Sequence, residues 1–121
     1  MQVSDVAAGP PTVRPHRSTC PVACSLDLLG DRWTLLVIRD LLFGKTRYGE
    51  FLASAEGIPT NILAERLKRL ELAGLISSTP YGRHSRRKDY RLTPAGEALR
   101  PIVTALRDWG LNQFPGTRAP R

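Results

Sequence analysis

The fold is decided by residues 57–92, which read GIPTNILAERLKRLELAGLISSTPYGRHSRRKDYRL. In the first half of this stretch an apolar side chain recurs at the spacing i, i+4, i+7, at Leu63, Leu67 and Leu70. This spacing places all three on one stripe of a helix. The helix is predicted to follow a turn at residues 57–61, to run over residues 60–73 and to end at Gly74.

The second half of the stretch predicts a β-hairpin. Residues 75–79 and 88–92 are the predicted strands, and residues 80–87 form a basic loop between them. The cations of this region stand against the single acid Asp89, and they are Arg83, Arg86, Arg87, Lys88 and Arg91.

Helices are also predicted on both sides of the stretch. Apolar periodicity predicts one helix after it, from residue 94, and three before it, over residues 21–29, 32–43 and 48–55. Pro21 suits the first turn of the first helix, and Asp31 is expected to cap the second. Thr93, followed by a proline, predicts a capped start for the last helix. Pro101 in its interior predicts either a kink or a start shifted toward the C-terminus.

The predicted order is helix, helix, helix, helix, strand, strand, helix, a mainly α chain with a small β-hairpin (α+β). The helix over residues 32–43 is apolar around nearly its whole circumference, so we expect it to be the buried central helix. Two helices joined by a tight turn and followed by a hairpin are typical of the winged helix-turn-helix fold. We expect one domain over residues 20–114, with flexible tails at residues 1–19 and 115–121.

Composition narrows the classes of function. Lys and Arg number 18 against 11 Asp and Glu, and the formal net charge of +7 at pH 7 favours a polyanionic partner such as nucleic acid or an anionic membrane. No apolar run approaches the roughly 18 residues that a membrane span needs, and no signal peptide is visible. We therefore expect a cytoplasmic, nucleoid-associated protein, in which the 2 cysteines are thiols.

The helix over residues 60–73 has the two faces that a DNA-reading helix needs. Its leucine stripe would anchor it on the domain, while the opposite face would present short polar and cationic groups to base edges and phosphates. The candidates are Thr60, Asn61, Ala64, Glu65 and Lys68, with Arg66 and Arg69 toward the flanks. An ordinary amphipathic surface helix has the same division, and Glu65 is suited either to accept from cytosine or to pair with Lys68 or Arg69.

The basic hairpin favours the DNA interpretation of that helix. A mobile loop that carries cations suits phosphates or a minor groove, whereas a hairpin kept charged only for solubility would carry both signs. We expect contacts from Arg83, His84, Arg86 and Arg87, and backbone contacts from Arg47 and Tyr48 at the start of the preceding helix.

Several motifs resemble those of one known family. They are CPV at 20–22, LDLLGDRWTLL at 26–36, IRDLL at 38–42, RYGEF at 47–51, GI at 57–58, NILAERL at 61–67, LELAGLI at 70–76, YRLTPAG at 90–96 and DW at 108–109. In this order and spacing they make the chain similar to the HxlR-type winged helix-turn-helix transcription regulators over about residues 20–110.

The resemblance implies a sequence-specific regulator that binds double-stranded DNA as a homodimer. The first and last helices would hold the dimer, and the two recognition helices would lie about 34 Å apart, one turn of B-DNA. Both terminal helices have apolar faces that support this, and the candidate interface residues are Val22, Leu26, Leu99, Ile102, Val103, Leu106 and Trp109.

Cys20 is the candidate sensor. In several members of the family the matching cysteine senses oxidants, quinones or aldehydes, and here it precedes Pro21 at a helix N-terminus, where the helix dipole favours the thiolate. The alternatives are an inert thiol that packs at the interface, and regulation by a small ligand at the dimer interface. His16, Cys20 and Cys24 recur every four residues, but a fourth ligand is missing, so we expect neither a metal nor a cofactor.

Other classes of function fit less well. Catalysis needs titratable groups that converge on a pocket, and the 2 histidines and scattered acids offer no such group, so we expect no enzyme. A winged helix that makes only protein contacts would have a neutral or acidic recognition face. A membrane-surface protein would carry its charge on a helix with a wide apolar face, not on a hairpin.

Overall fold

The computed structural model describes residues 18–119, apart from the side chains at positions 84 and 85. Most of the predicted N-terminal tail, residues 1–17, and the last two residues, 120–121, lie outside this description. The elements are α1 Pro21–Leu29, α2 Thr34–Leu42, α3 Tyr48–Leu52, α4 Thr60–Leu72, β1 Ile76–Tyr81, β2 His84–Leu92, α5 Pro94–Glu97 and α6 Arg100–Gln113. Four helices, an antiparallel two-stranded hairpin and a helical C-terminal region confirm the predicted winged helix-turn-helix fold.

Local signals place the helix starts. Pro21 lies in the first turn of α1, and the Thr93 hydroxyl accepts a hydrogen bond from the Gly96 N–H before α5, as predicted. The carboxylate of Asp31 accepts from the backbone N–H groups of Trp33 and Thr34 at 3.0 and 3.2 Å. Asp31 therefore satisfies two N–H groups at the entry to α2, but the N-cap is Trp33 and not Asp31, because the helix begins at residue 34 and not at residue 32.

The predicted last helix is in fact two helices. α5 ends at Glu97, and α6 begins at Arg100 with Pro101 in its first turn. Proline is tolerated there because its missing N–H would have no partner within the helix. The shifted start is therefore correct and the kink is not. α3 is also shorter than predicted, since it ends at Leu52 and not at residue 55.

The core forms around α2 and α4, and α2 is the central helix as predicted. The buried apolar side chains include Val37, Ile38 and Leu41 from α2, and Phe51, Leu63, Leu67, Leu70, Leu75, Ile76 and Leu99 from the elements around it. Placing Leu99 at a dimer face was wrong, because it precedes α6 at the α5–α6 break and is only 9% exposed. Within residues 18–119, none of the helices combines the length and the hydropathy needed to cross a membrane.

Candidate nucleic-acid interface

The helix α4 presents a buried face and a polar exposed face. Leu63, Leu67 and Leu70 are almost completely buried, which anchors the helix on α2 and the hairpin. The exposed side chains on the other side are Thr60, Asn61, Ala64, Glu65 and Lys68. The division that the sequence predicted is therefore present, and Thr60, Asn61, Ala64 and Glu65 lie in the N-terminal half of the helix.

Two of the candidate DNA contacts on α4 are occupied within the chain. The Nε of Arg66 donates to one carboxylate oxygen of Asp31 at 2.8 Å, and an Nη of Arg69 donates to the other at 2.8 Å. The same nitrogen of Arg69 also donates to the Thr34 hydroxyl at 2.9 Å. We name Asp31, Thr34, Arg66 and Arg69 the Asp31 cluster. It joins the start of α2 to the middle of α4, so both arginines hold the helix in place instead of facing outward.

The electrostatics of the cluster favour the charged form of Asp31. Partial burial raises the pKa of this carboxyl, but hydrogen bonds from Thr34, Arg66 and the Trp33 backbone, together with the charge of Arg66, outweigh that effect. They hold the pKa well below its ordinary value of 3.8. The carboxylate is therefore ionised throughout the neutral range and pairs with both guanidinium groups.

Glu65 also differs from expectation. It pairs with its neighbour Arg66 and with neither Lys68 nor Arg69. Its side chain is about half exposed, so the pair lies at the edge of the polar face of α4. Lys68 is exposed, and within the described residues no carboxylate pairs with it.

The start of α4 is fixed by α3. The hydroxyl of Tyr48 donates to the backbone carbonyl of Thr60 at 2.6 Å. Tyr48 is half-buried and packs against the core, so its main role is to position the first turn of α4. The hydroxyl is thus engaged within the chain, and the contact of Tyr48 with the DNA backbone stays a prediction.

The hairpin carries a group of unpaired cations. Its strands pair from Ile76 opposite Leu92 to Pro80 opposite Lys88, and the register then shifts so that residues 85–87 of β2 have no partner opposite them. Most of the predicted basic loop is therefore strand, with a bulge, because β1 and β2 extend to the turn at Gly82. Within the described residues no carboxylate pairs with the exposed cations of this region, Arg83, Arg86, Arg87, Lys88 and Arg91. The side chain of His84 lies outside the described part of the structure.

Arg47 connects α3 to the hairpin. Its Nε donates to a carboxylate oxygen of Asp89 at 3.0 Å, and its guanidinium lies 3.8 Å from the ring centroid of Tyr81. The Tyr90 N–H donates to the Thr46 carbonyl at 2.7 Å, so this segment also pairs with the edge of β2. Arg47 therefore sets the position of the β1–β2 hairpin, which is the wing of this fold. The sequence did not suggest this role.

The candidate dimer-interface residues other than Leu99 lie on α1 and α6, where most of them form an exposed apolar surface. Val22, Leu26, Ile102, Leu106 and Trp109 are exposed although they are large and apolar, and Leu26 and Trp109 are 57% and 58% exposed. Val103 is half-buried and packs against the core. This surface lies on the two helices that the sequence assigned to dimerisation.

Both described cysteines are free thiols. Cys20 is exposed at the N-cap of α1, where its N–H donates to the Ser18 hydroxyl at 3.0 Å. Cys24 is half-buried, and its thiol donates to the Ser18 carbonyl at 3.4 Å. Among the described residues no group of His, Cys, Asp and Glu side chains is arranged to hold a metal, and His16 lies outside them.

The positioning role of Asp31 had a partial signal in the sequence. Its place before α2 predicted a cap, and Arg66 and Arg69 share a flank of α4 at the spacing i, i+3. What joins them is contact between residues 35 and 38 positions apart, which periodicity along one helix does not reveal.

Comparison with known proteins places these features in a family. The sequence pattern described as HxlR-like helix-turn-helix matches residues 28–117. An uncharacterized HTH-type transcriptional regulator of Mycobacterium tuberculosis is 40% identical over 99 residues, which are 82% of this chain and 62% of the relative. The matched region therefore spans less than two thirds of that relative's length.

Solved structures agree with this assignment. PA1607, proposed to be a transcription factor, is similar with a TM-score of 0.76 and 42% identity, over 87% of this chain and 74% of that chain. The redox regulator HypR in its reduced form is similar with a TM-score of 0.69 and 31% identity, over 75% of this chain and 90% of that chain. The relatives are named as regulators, which agrees with the expectation of a non-enzymatic protein. From its sequence pattern, its relatives and its fold, the chain belongs to the HxlR-like helix-turn-helix family.

Proposed function

We propose that the chain is a sequence-specific DNA-binding transcription regulator that acts as a homodimer in the cytoplasm. The observation that carries this proposal is the exposed polar face of α4 beside a hairpin whose cations have no carboxylate partner in the described structure. Cations kept without internal partners are available to phosphates, and a helix of this kind is suited to the major groove.

The contacts divide into two kinds. Thr60, Asn61, Ala64 and Glu65 lie in the first turns of α4, the part of a recognition helix that reaches base edges. Lys68, together with Arg83, Arg86 and Arg87 on the wing, would contact phosphates and supply affinity that does not depend on sequence. Four other candidates already have a partner inside the chain, so they would hold α4 and the hairpin in place for DNA binding. They are Arg47, Tyr48, Arg66 and Arg69.

The homodimer is supported by the apolar surface on α1 and α6. A small domain that leaves Val22, Leu26, Leu106 and Trp109 exposed gains stability by covering them. A two-fold interface through these helices would present two copies of α4 to successive turns of the duplex.

A response to oxidants through Cys20 is the finer part of the proposal. Two observations support it: the thiol is exposed at the N-terminus of α1, and the similar protein HypR is a redox regulator. Because α1 belongs to the proposed dimer surface, a modified Cys20 would act on the angle between the two copies of α4. Cys24 is half-buried and hydrogen-bonded, which makes it the matched control.

The test of the DNA interface is the salt dependence of binding to a duplex. Removing two phosphate contacts with Arg86→Ala and Arg87→Ala should weaken binding to all sequences and reduce the slope of log K against log salt by about 1.8. Arg32→Ala removes an exposed charge outside α4 and the wing and should leave the slope unchanged. An unchanged slope in the double variant would exclude the wing from the interface.

A further inference from the structure

We propose that the cavity between α2 and α6 binds a small apolar carboxylate, with the carboxylate on Arg118. The cavity has a volume of about 370 Å³ and is lined by residues of α2, α6 and the segment that follows α6. Cavities of roughly 300–1,000 Å³ are typical of small-molecule sites. The binding site stands independently of the proposed function, whereas its regulatory consequence rests on it.

The walls of the cavity are apolar on both sides. Leu35, Leu36 and Leu42 come from α2, and Val103 and Leu111 come from α6. These side chains are half-buried or exposed, so an apolar ligand between the helices would cover surface that the chain leaves open to water.

The charged residues of the lining all have one sign. None of the described lining residues is acidic. Four are arginines, namely Arg39, Arg100, Arg107 and Arg118. Arginines are the only charged side chains among the described lining residues, so one that has no carboxylate partner would favour an apolar anion over a neutral or cationic ligand.

The four arginines differ in availability. Arg39 is bound by both oxygens of Glu56 at 2.8 and 3.0 Å and by Asp40, so its charge is already neutralised. Arg100 and Arg107 make ion pairs with Glu97 and Asp108 on the exposed surface of the helices. Within the described residues no carboxylate pairs with Arg118, which leaves it as the cation free to receive a ligand.

The segment that carries Arg118 is attached to the end of α6. The hydroxyl of Thr117 donates to the Phe114 carbonyl at 2.8 Å, which turns the chain back after α6. Thr117 and Arg118 thereby both line the cavity. A carboxylate on Arg118 would place the apolar part of the ligand between the leucines of α2 and α6.

The position of the cavity beside the proposed dimer surface suggests how a bound ligand would affect DNA binding. Leu106 lines the cavity and also belongs to the exposed apolar surface on α6 that we assign to the dimer. A ligand between α2 and α6 would shift α6 relative to the domain that carries α4. In a homodimer this shift changes the spacing of the two recognition helices, so the ligand alters DNA affinity.

Calorimetric titration of the full chain with octanoate tests the proposal, with 1-octanol and octylammonium as neutral and cationic probes of the same chain length. Octanoate should bind, 1-octanol should bind at least roughly tenfold more weakly, and octylammonium should not bind. Arg118→Ala should weaken octanoate binding roughly tenfold, as the loss of a charge-assisted hydrogen bond at a partly exposed site does. Lys88→Ala removes one charge on the hairpin and should leave octanoate binding unchanged.

Thr104→Phe provides a second variant, because it fills the cavity from α6 without removing a charge. It should abolish octanoate binding while circular dichroism shows a folded chain. Equal binding of octanoate and octanol, unchanged binding in Arg118→Ala, or no octanoate binding to the wild type would each overturn the proposal. Duplex binding by the same preparations separates the two hypotheses: DNA binding without octanoate binding refutes only the ligand, and octanoate binding without DNA binding refutes only the regulator.

Discussion

Replacing Asp31 with asparagine should loosen the attachment of α4 to α2. The carboxylate receives hydrogen bonds from Arg66 and Arg69 at 2.8 Å each, on side chains that are 17% and 35% exposed. Asparagine keeps an oxygen that can cap α2 but loses the charge that holds the two guanidinium groups. The substitution therefore removes both the charge and one of the two acceptor oxygens on which the Asp31 cluster depends.

The expected loss of stability follows from these two contacts. Each charge-assisted hydrogen bond in a partly buried site contributes on the order of 1–1.5 kcal/mol, so Asp31→Asn should cost about 2–3 kcal/mol at pH 7. For a domain of this size the midpoint of thermal unfolding should fall by roughly 10–20 °C at fixed protein concentration. Asp108→Asn, which removes an exposed carboxylate paired with Arg107, should cost less than about 0.5 kcal/mol.

The contribution of Asp31 to the free energy of unfolding also depends on pH. Because the folded-state pKa of Asp31 lies below its ordinary value of 3.8, its contribution is complete above that value and is lost as the pH falls through the folded-state pKa. The difference between wild type and Asp31→Asn should therefore be constant through the neutral range and should shrink only in acid.

The assay is urea unfolding of wild type, Asp31→Asn, Arg66→Gln and the double variant. A direct contact predicts a coupling energy of about 1–2 kcal/mol between residues 31 and 66. A cost for Asp31→Asn as small as that of Asp108→Asn, or additive effects in the cycle, would refute the role assigned to the cluster.

The remaining predictions concern packing, base reading and sensing. Gly96→Ala should destabilise the chain by about 3 kcal/mol in urea unfolding, because an added Cβ would lie 2.1 Å from the Leu75 carbonyl oxygen. Gly49→Ala, where a Cβ meets nothing within 4 Å, should be neutral or stabilising, and equal costs would contradict the packing argument. Asn61→Ala should cost about 1–3 kcal/mol at the preferred base and relax preference there, measured by competition between duplexes, whereas Lys68→Ala should weaken all duplexes alike. A uniform loss in Asn61→Ala would show that it contacts only the backbone of DNA. A mild thiol oxidant should change DNA affinity in wild type and in Cys24→Ser but not in Cys20→Ser, and a response that persists in Cys20→Ser would exclude Cys20 as the sensor.

Local signals predicted most of the elements of this fold. The leucine stripe of α4, the proline at the start of α1 and the cap at Thr93 each depend on residues within a turn or two of one another. Such features follow from helix geometry and from unpaired N–H groups at helix starts, both of which are visible in sequence.

Features that depend on tertiary contact were not predictable in the same way. The hairpin is longer than expected because Tyr81 pairs with His84 beyond the bulge at residues 85–87, and local propensity does not reveal such a cross-strand contact. Arg66 and Arg69 looked available to DNA because Asp31, their common partner, lies far away in sequence. Leu99 looked like part of the α6 surface because the sequence predicted one helix from residue 94, without the break between α5 and α6.

Selection of duplexes from a random pool by the purified wild-type chain is the most direct test of sequence-specific binding as a dimer. We predict enrichment of a two-fold symmetric site whose half-sites lie about one helical turn apart, as two copies of α4 on a two-fold dimer require. A pool that shows no enrichment at moderate salt, or one enriched in a single asymmetric half-site, would contradict the homodimeric regulator.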